Sequence, residues 1–259
     1  MTPIFITGIE ITTAKIRKFA ERSGKMQIFY CVEISHGRAL FSREESRHCL
    51  KVLRMRGGEE ITFTDGQGNL YKGVIKEADP SAMSATVTSV IHDYGKKEYR
   101  LHVAISPLKN GDRLEWFIEK AVETGIDEIT PLLCARTEKN RIRRERLEGL
   151  TLSAMKQSVK SYLPHLNNPV RFDDFIAGVY AGKKIIASCD PAVERIPVTS
   201  AFNRGDDVVM MIGPEGDFTA EEVTAALQAG FQPVHIGPSR LRTETAGVVA
   251  CCSVYLSNL

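Results

Sequence analysis

Apolar residues follow two different rhythms along this chain. From residue 26 to about residue 93 they alternate with polar ones in short runs rich in β-branched residues, such as Ile61-Thr-Phe-Thr, Tyr71-Lys-Gly-Val-Ile and Ala85-Thr-Val-Thr-Ser-Val-Ile. Period-two alternation over runs of this length predicts strands. Asp65-Gly-Gln-Gly-Asn69 has the composition of a turn between two of them. One predicted helix, residues 43–53, interrupts the series. It carries Arg43, Arg47, Lys51 and Arg54 at three- and four-residue spacing, on neighbouring parts of one face. The expected result is a small β-barrel-like module with a basic helix over residues 26–93. Residues 92–100 are polar and charged and read as a linker.

From Leu101 onward the rhythm changes. Short continuous apolar runs at Leu101–Ile105, 129–133, 184–188, Val208–Ile212 and 233–236 alternate with stretches of helical periodicity. Leu114, Phe117, Ile118, Ala121 and Val122 mark one helix, closed by Gly125, while Thr219 and Glu222 form a capping box for another that Gly230 ends. Apolar strands alternating with helices imply a parallel sheet covered on both faces, so residues 101–259 are expected to form an α/β domain. The last helix, about residues 245–256, is apolar nearly all round and is predicted to be buried.

Composition adds limits rather than a function. The 259 residues are 43% hydrophobic and 25% charged, which suits an ordinary globular core. The net charge of +2 is too small to indicate a polyanionic partner, but its distribution is uneven. Residues 136–160 hold eight Lys/Arg against three Glu, whereas residues 205–235 hold six acidic residues and no Lys or Arg. That pattern suits a face built for phosphates, and equally suits solvated helix faces. The six cysteines show neither a C-x-x-C motif nor metal-ligand spacing, so no metal is expected and the compartment reads as reducing. With no apolar run long enough for a membrane span and no secretory signal pattern, the expected location is the cytoplasm. Residues 1–25 end in a basic stretch (Lys15, Arg17, Lys18, Arg22, Lys25) and read as an extension not native to the protein, with Met26 the true start; the alternative is a basic arm that touches RNA.

Two segments carry candidate chemistry, and each directly follows a predicted strand. They are Ile212-Gly-Pro-Glu-Gly-Asp-Phe-Thr219 and Ile236-Gly-Pro-Ser-Arg-Leu-Arg-Thr-Glu-Thr-Ala-Gly247. Ligands of open α/β sheets bind outside the carboxyl ends of the strands, so both loops lie where a cofactor belongs. Taken alone, the first loop could be an ordinary strand-to-helix turn. The second is harder to dismiss, because Arg242, Thr243, Glu244 and Thr245 stand immediately before an apolar helix where unpaired charge is costly.

The pairing of G-P-E-G-x-(F/L)-(S/T)-x-x-E with a downstream (L/I)-G-x-x-x-L-R-T-E-T-A resembles the SPOUT-class methyltransferases that modify N3 of a uridine in 16S ribosomal RNA, the small-subunit methyltransferase E family. Supporting residues are the run from Lys109 to Gly125, Ile129-Thr-Pro-Leu, Met155-Lys-Gln-Ser and Tyr162-Leu-Pro164, and the likeness extends from Met26 to the C-terminus. The resemblance implies a PUA-like RNA-binding barrel followed by an α/β domain with a deep trefoil knot. It also implies a homodimer using the last helix, with 16S rRNA or the assembled small subunit as partner. The implied cofactor is S-adenosylmethionine, held by Ile212, Gly213, Pro214, Glu215, Gly216, Ile236, Gly237, Ser239, Leu241, Arg242, Thr243, Thr245 and Ala246. Asp217 stands where the family commonly has Gly, and Lys160 where Arg is usual, which weakens a bidentate contact there.

Methylating uracil N3 requires loss of a proton, so a cation near O2 or O4 would favour the anionic nucleophile. Arg242 is the first candidate for that cation. Glu244 is expected to orient Arg242 or accept the proton, and Glu215 could serve either role less directly. Arg43, Arg47, Arg54, Lys109, Arg113, Lys120, Arg136, Arg141, Arg143 and Lys160 are the candidates for RNA contact, with a solvated helix face the competing explanation for Arg113 and Lys120. A dinucleotide-binding enzyme would need G-x-G-x-x-G after residue 105, where Ser-Pro-Leu-Lys-Asn-Gly stands instead, and the P-loop pattern is absent. A non-enzymatic assembly factor with a decayed cofactor loop would be expected to have lost Gly213, Gly216 or Gly237; all three are present.

Overall fold

The computed structural model describes residues 27–138 and 142–259. The extension proposed for residues 1–25 lies outside the described residues. The chain forms two compact units, one running to Lys96 and taking in Val159–Tyr162, the other comprising Lys97–Ser158 and Leu163–Leu259.

Alternation builds the first unit. Strands β1 (Ile28–Ser35), β2 (Arg38–Phe41), β3 (Glu60–Thr64), β4 (Leu70–Glu77) and β5 (Ser84–Ile91) close into a barrel in the order β1-β2-β5-β4-β3, with parallel β1–β3 pairing as the seam. Closure pairs every edge. The interior holds Phe29, Cys31, Phe41, Ile61, Phe63, Ile75 and Met83. Phe63 stacks on Tyr71 and meets Phe41 edge-on, each at 5.3 Å between ring centroids.

The helix expected over residues 43–53 is not uniform. Ser42 caps α1 (Arg43–Arg47) by accepting the Glu45 N–H, and the chain then widens into a π-helical turn, His48–Val52, whose last bond runs from Leu53 N–H to the His48 carbonyl at 3.0 Å. The wider turn keeps Cys49 buried over the barrel beside Glu45 and Ser46, and the Ser46 hydroxyl takes the Met83 N–H. Arg43, Arg47, Lys51 and Arg54 are all exposed. Val159–Tyr162 join this unit through backbone groups that no sequence pattern signalled. The Ser161 carbonyl accepts from Gly68 N–H at 2.8 Å and from the Thr64 hydroxyl at 3.3 Å, and the Tyr162 hydroxyl donates to Asp93.

The second unit is a wholly parallel sheet. Its strands are β6 (Leu101–Ile105), β7 (Glu128–Leu133), β8 (His165–Leu166), β9 (Val170–Arg171), β10 (Lys183–Ala187), β11 (Ile196–Pro197), β12 (Val208–Ile212) and β13 (Gln232–His235). The order is β11-β13-β10-β12-β6-β7-β8, with β9 also beside β7. Central β6 and β12 are buried at every residue, as continuous apolar runs require. Its helices are α2 (Gly111–Thr124), α3 (Arg144–Gln157), α4 (Phe172–Ile176), α5 (Ala220–Gln228) and α6 (Thr243–Ser257). Ala104, Ile186, Val209 and Met211 pack against Phe172 and Phe175 of α4 and Val223 and Ala226 of α5. The expected α/β class, a small barrel followed by a parallel sheet, is present. No helix among the described residues is long and apolar enough to cross a membrane.

The last helix departs from its expected burial. It begins at Thr243 and buries one stripe, Thr243, Glu244, Gly247, Ala250, Cys251 and Val254, while Tyr255 and Leu256 are 39% and 63% exposed. An apolar sequence all round does not require this one chain to cover every side. Gly247 sets how closely α6 lies against its neighbours, because a Cβ there would fall 2.7 Å from the Phe117 ring and 3.0 Å from Ile105 Cδ1. Helix propensity alone favours Gly247→Ala by about 1 kcal/mol, but overpacking opposes it by about 1–3 kcal/mol. Gly247→Ala is expected to lower the urea midpoint; a raised midpoint would show that α6 shifts freely.

Candidate active site

Both glycine-bearing loops open at one end of the sheet. β13, β10 and β12 are adjacent and parallel, so their carboxyl ends deliver Val234 and His235, Ala187 and Ile212 to the same place. Together with the following loops they wall a cleft of about 900 Å³. Of the residues expected to hold a cofactor, Ile212, Gly213, Pro214, Glu215, Gly216, Ile236, Gly237, Ser239, Leu241, Arg242, Thr243 and Ala246 line it; Thr245 does not. Gly216 and Gly237, far apart in sequence, share this wall. Gly237 has φ +131° with open space where a Cβ would stand, so a side chain there would be strained. Ser188, Cys189, Arg195, Asp217 and Arg240 also line the cleft. The Ser188–Cys189 turn went unnoticed in the sequence, although the end of a predicted parallel strand was the available signal.

Side chains hold these loops by their backbone atoms. The first loop turns through Asp217 N–H to the Pro214 carbonyl, and Glu215 Oε1 accepts the Lys109 N–H at 3.2 Å. Arg136 Nη1 donates to the carbonyls of Gly216 and Phe218, at 2.6 and 3.3 Å. Buried Glu222 completes the capping box with Thr219 and also takes the Ala135 N–H at 2.7 Å, fastening the loop after β7 to the loop after β12. Asp217 Oδ2 accepts the Cys189 N–H at 2.7 Å, and Arg195 Nη1 donates to the Ser188 carbonyl at 2.8 Å.

These contacts revise several expectations. Arg136, expected to meet RNA phosphate, is engaged with the carbonyls of the glycine loop. Lys109 Nζ lies 3.0 Å from Glu138, and Lys120 pairs with Glu119 and Glu123 at 2.8 and 2.9 Å, which makes the helix-face explanation the better one for Lys120. Arg143 is exposed just before α3, Arg141 lies outside the described residues, and Lys160 belongs to the barrel unit, as do Arg43, Arg47 and Arg54. Glu244 makes no ion pair with Arg242 among the described residues. It is 7% exposed in the first turn of α6, its Oε1 lies 3.8 Å from Arg113 Nε, and its Oε2 is buried without a hydrogen-bond partner among the described residues. An acid there also meets the positive end of the helix dipole. Arg242 is the exposed N-cap residue of α6 and lines the cleft, its guanidinium in no ion pair among the described residues.

The six cysteines are free. Burial pushes the Cys49 thiol up to about 11 and raises Cys134 and Cys251 further, so these behave as small protonated hydrophobes. Cys189 differs from these, standing exposed at the cleft. No cluster of three or more His, Cys, Asp or Glu side chains suited to a metal occurs among the described residues.

The closed small barrel and the parallel sheet that follows it each match an RNA methyltransferase family. The RNA methyltransferase domain family matches residues 95–255, and the RNA methyltransferase PUA domain family matches residues 41–88. Ribosomal RNA small subunit methyltransferase E of Mycobacterium bovis is 30% identical over 227 residues, 83% of this chain and 85% of that protein. A probable rRNA-methyltransferase from Porphyromonas gingivalis has the same fold, with TM-score 0.84 and 39% identity over 90% of this chain and 98% of its own. A ribosomal RNA small subunit methyltransferase E from Neisseria gonorrhoeae, bound to S-adenosyl methionine, superposes with TM-score 0.79 at 26% identity over the same shares. This chain belongs to the ribosomal RNA small subunit methyltransferase E family.

The anchoring by Glu222 has a measurable consequence. Glu222→Ala leaves the Ala135 and Thr219 N–H groups without their acceptor, and is expected to cost about 2 kcal/mol in urea unfolding. A change below about 0.5 kcal/mol would mean that water replaces both bonds.

Proposed function

We propose that this protein transfers the methyl group of S-adenosylmethionine to N3 of a uridine in 16S ribosomal RNA. The observation that carries the assignment is the meeting of the two glycine-bearing loops in one cleft, in a chain whose relatives include structures bound to S-adenosyl methionine.

The cleft suits that group. Its volume lies within the roughly 300–1,000 Å³ of small-molecule sites, and Gly213, Gly216 and Gly237 on its wall leave loop N–H and C=O groups that can read an adenine edge. Ile212, Gly213, Pro214, Gly216, Ile236, Gly237, Leu241 and Ala246 would hold it, with hydroxyls of Ser239 and Thr243 and the charges of Glu215 and Arg242 at the same wall. When bound, it supplies a methyl group on a sulfonium, open to in-line attack.

The protein has to place a uracil ring and favour its deprotonated form. Arg242 has no competing ion pair among the described residues, which leaves its guanidinium to stabilise charge developing on O2 or O4. Glu244, buried beneath the first turn of α6 beside Arg113, acts as a positioning residue that anchors the helix start from which Arg242 projects. Arg43, Arg47 and Arg54 on the barrel, with Arg143, are the exposed cations assigned to phosphate, which sets the position of the strand without reading its sequence. The target base leaves its stack to reach the cleft. We also assign a second copy of the chain to the exposed side of α6, where Tyr255 and Leu256 lie, and a knotted path to the chain through the two loops.

Calorimetry is expected to show S-adenosylmethionine binding. Nucleoside mass spectrometry of small-subunit RNA from a strain lacking the enzyme, incubated with protein and cofactor, should show N3-methyluridine. A 2′-O-methyl product, or no product, would overturn the assignment. Arg242→Ala is expected to lower the single-turnover rate by at least about 100-fold while cofactor affinity changes little; full activity would remove Arg242 from the chemistry.

A further inference from the structure

Asp217 occupies an unusual place on the cleft wall. Its φ is +60°, in the left-handed region that glycine tolerates best and Asp less well, so something must hold it there. Two backbone donors do. Oδ1 accepts the Phe218 N–H at 2.8 Å and Oδ2 accepts the Cys189 N–H at 2.7 Å, which fixes the carboxylate between the loop after β12 and the loop after β10. Neither partner is a cation, so the bonds orient the negative charge without cancelling it. The other charged residues of the wall are differently employed. Glu215 accepts from the Lys109 backbone, Arg195 donates to the Ser188 carbonyl, and Arg240 and Arg242 are exposed.

We propose that Asp217 is a specificity-determining residue, a carboxylate locked into the cleft wall that shifts the site's preference toward a cationic sulfonium ligand and away from its uncharged thioether product. The proposal rests on the assignment of S-adenosylmethionine to this cleft. Donor and spent product share the adenosine and the amino-acid group and differ by one methyl and one positive charge. Backbone contacts to the shared parts hold both alike. A fixed negative charge on the cleft wall distinguishes them, and so helps the product to leave after transfer.

Calorimetric titration with three ligands tests this: S-adenosylmethionine, S-adenosylhomocysteine, and sinefungin, which carries an ammonium in place of the sulfonium. In Asp217→Asn, the Kd values of S-adenosylmethionine and sinefungin are expected to rise by about three- to tenfold relative to that of S-adenosylhomocysteine. In the unaltered protein, raising salt toward about 1 M should compress the same ratio, a measurement that does not depend on the variant folding. Equal weakening of all three ligands would reduce Asp217 to a clasp between two loops and overturn the proposal, as would an unchanged ratio or sinefungin behaving like S-adenosylhomocysteine. If the unaltered protein binds none of the three, the cofactor assignment itself falls; if it binds them and the ratio does not move, only the role of Asp217 falls.

Discussion

A loop at the end of a buried parallel strand inherits backbone groups that neither the sheet nor the next helix can satisfy, and the site depends on how that need is met. Here it is met by charged side chains aimed at main-chain atoms. Glu222 takes two N–H groups, Arg136 takes two carbonyls, Asp217 takes two N–H groups, and Arg195 and Glu215 take one group each. Charge-assisted bonds of this kind are stronger than neutral ones. They hold the loops by their main chain, so Gly213, Gly216 and Gly237 can line the cleft without side chains of their own to anchor them.

The same economy of charge shows what a charge count along the sequence leaves out. A count of Lys and Arg over residues 136–160 identifies a basic stretch, but a count cannot tell a cation facing solvent from one committed to a carbonyl. Arg136 belongs to the second kind, and Lys109 and Lys120 have carboxylate neighbours. Glu244 shows the converse. Proximity in sequence to Arg242 suggested a pair, yet consecutive polar residues entering a helix diverge around its axis, and Glu244 lies 3.8 Å from Arg113 of α2.

Most of the architecture was legible because it depends on local pattern. The five strands predicted for the parallel sheet end within one residue of those observed, the Thr219 capping box is present, and Gly125 closes α2 in the left-handed conformation. What escaped needs three-dimensional context. The π-helical turn after α1 follows from fitting Cys49 over the barrel, and the exposed half of α6 is an apolar surface that periodicity cannot distinguish from a buried one. The Ser188–Cys189 wall joined the cleft only once the strand order put β10 between β12 and β13. Motif spacing located two walls of the site; topology supplied the third.

The four residues Val159–Tyr162 give the barrel a late component. Its fifth strand ends at Ile91, but Gly68 and Thr64 find their acceptor in Ser161, which leaves the ribosome only after two strands and two helices of the other unit have been made. A nascent chain holding all five strands therefore still lacks a partner for part of its rim. The barrel is contiguous in space but not in synthesis, and a fragment cut at the end of β5 would inherit that gap permanently.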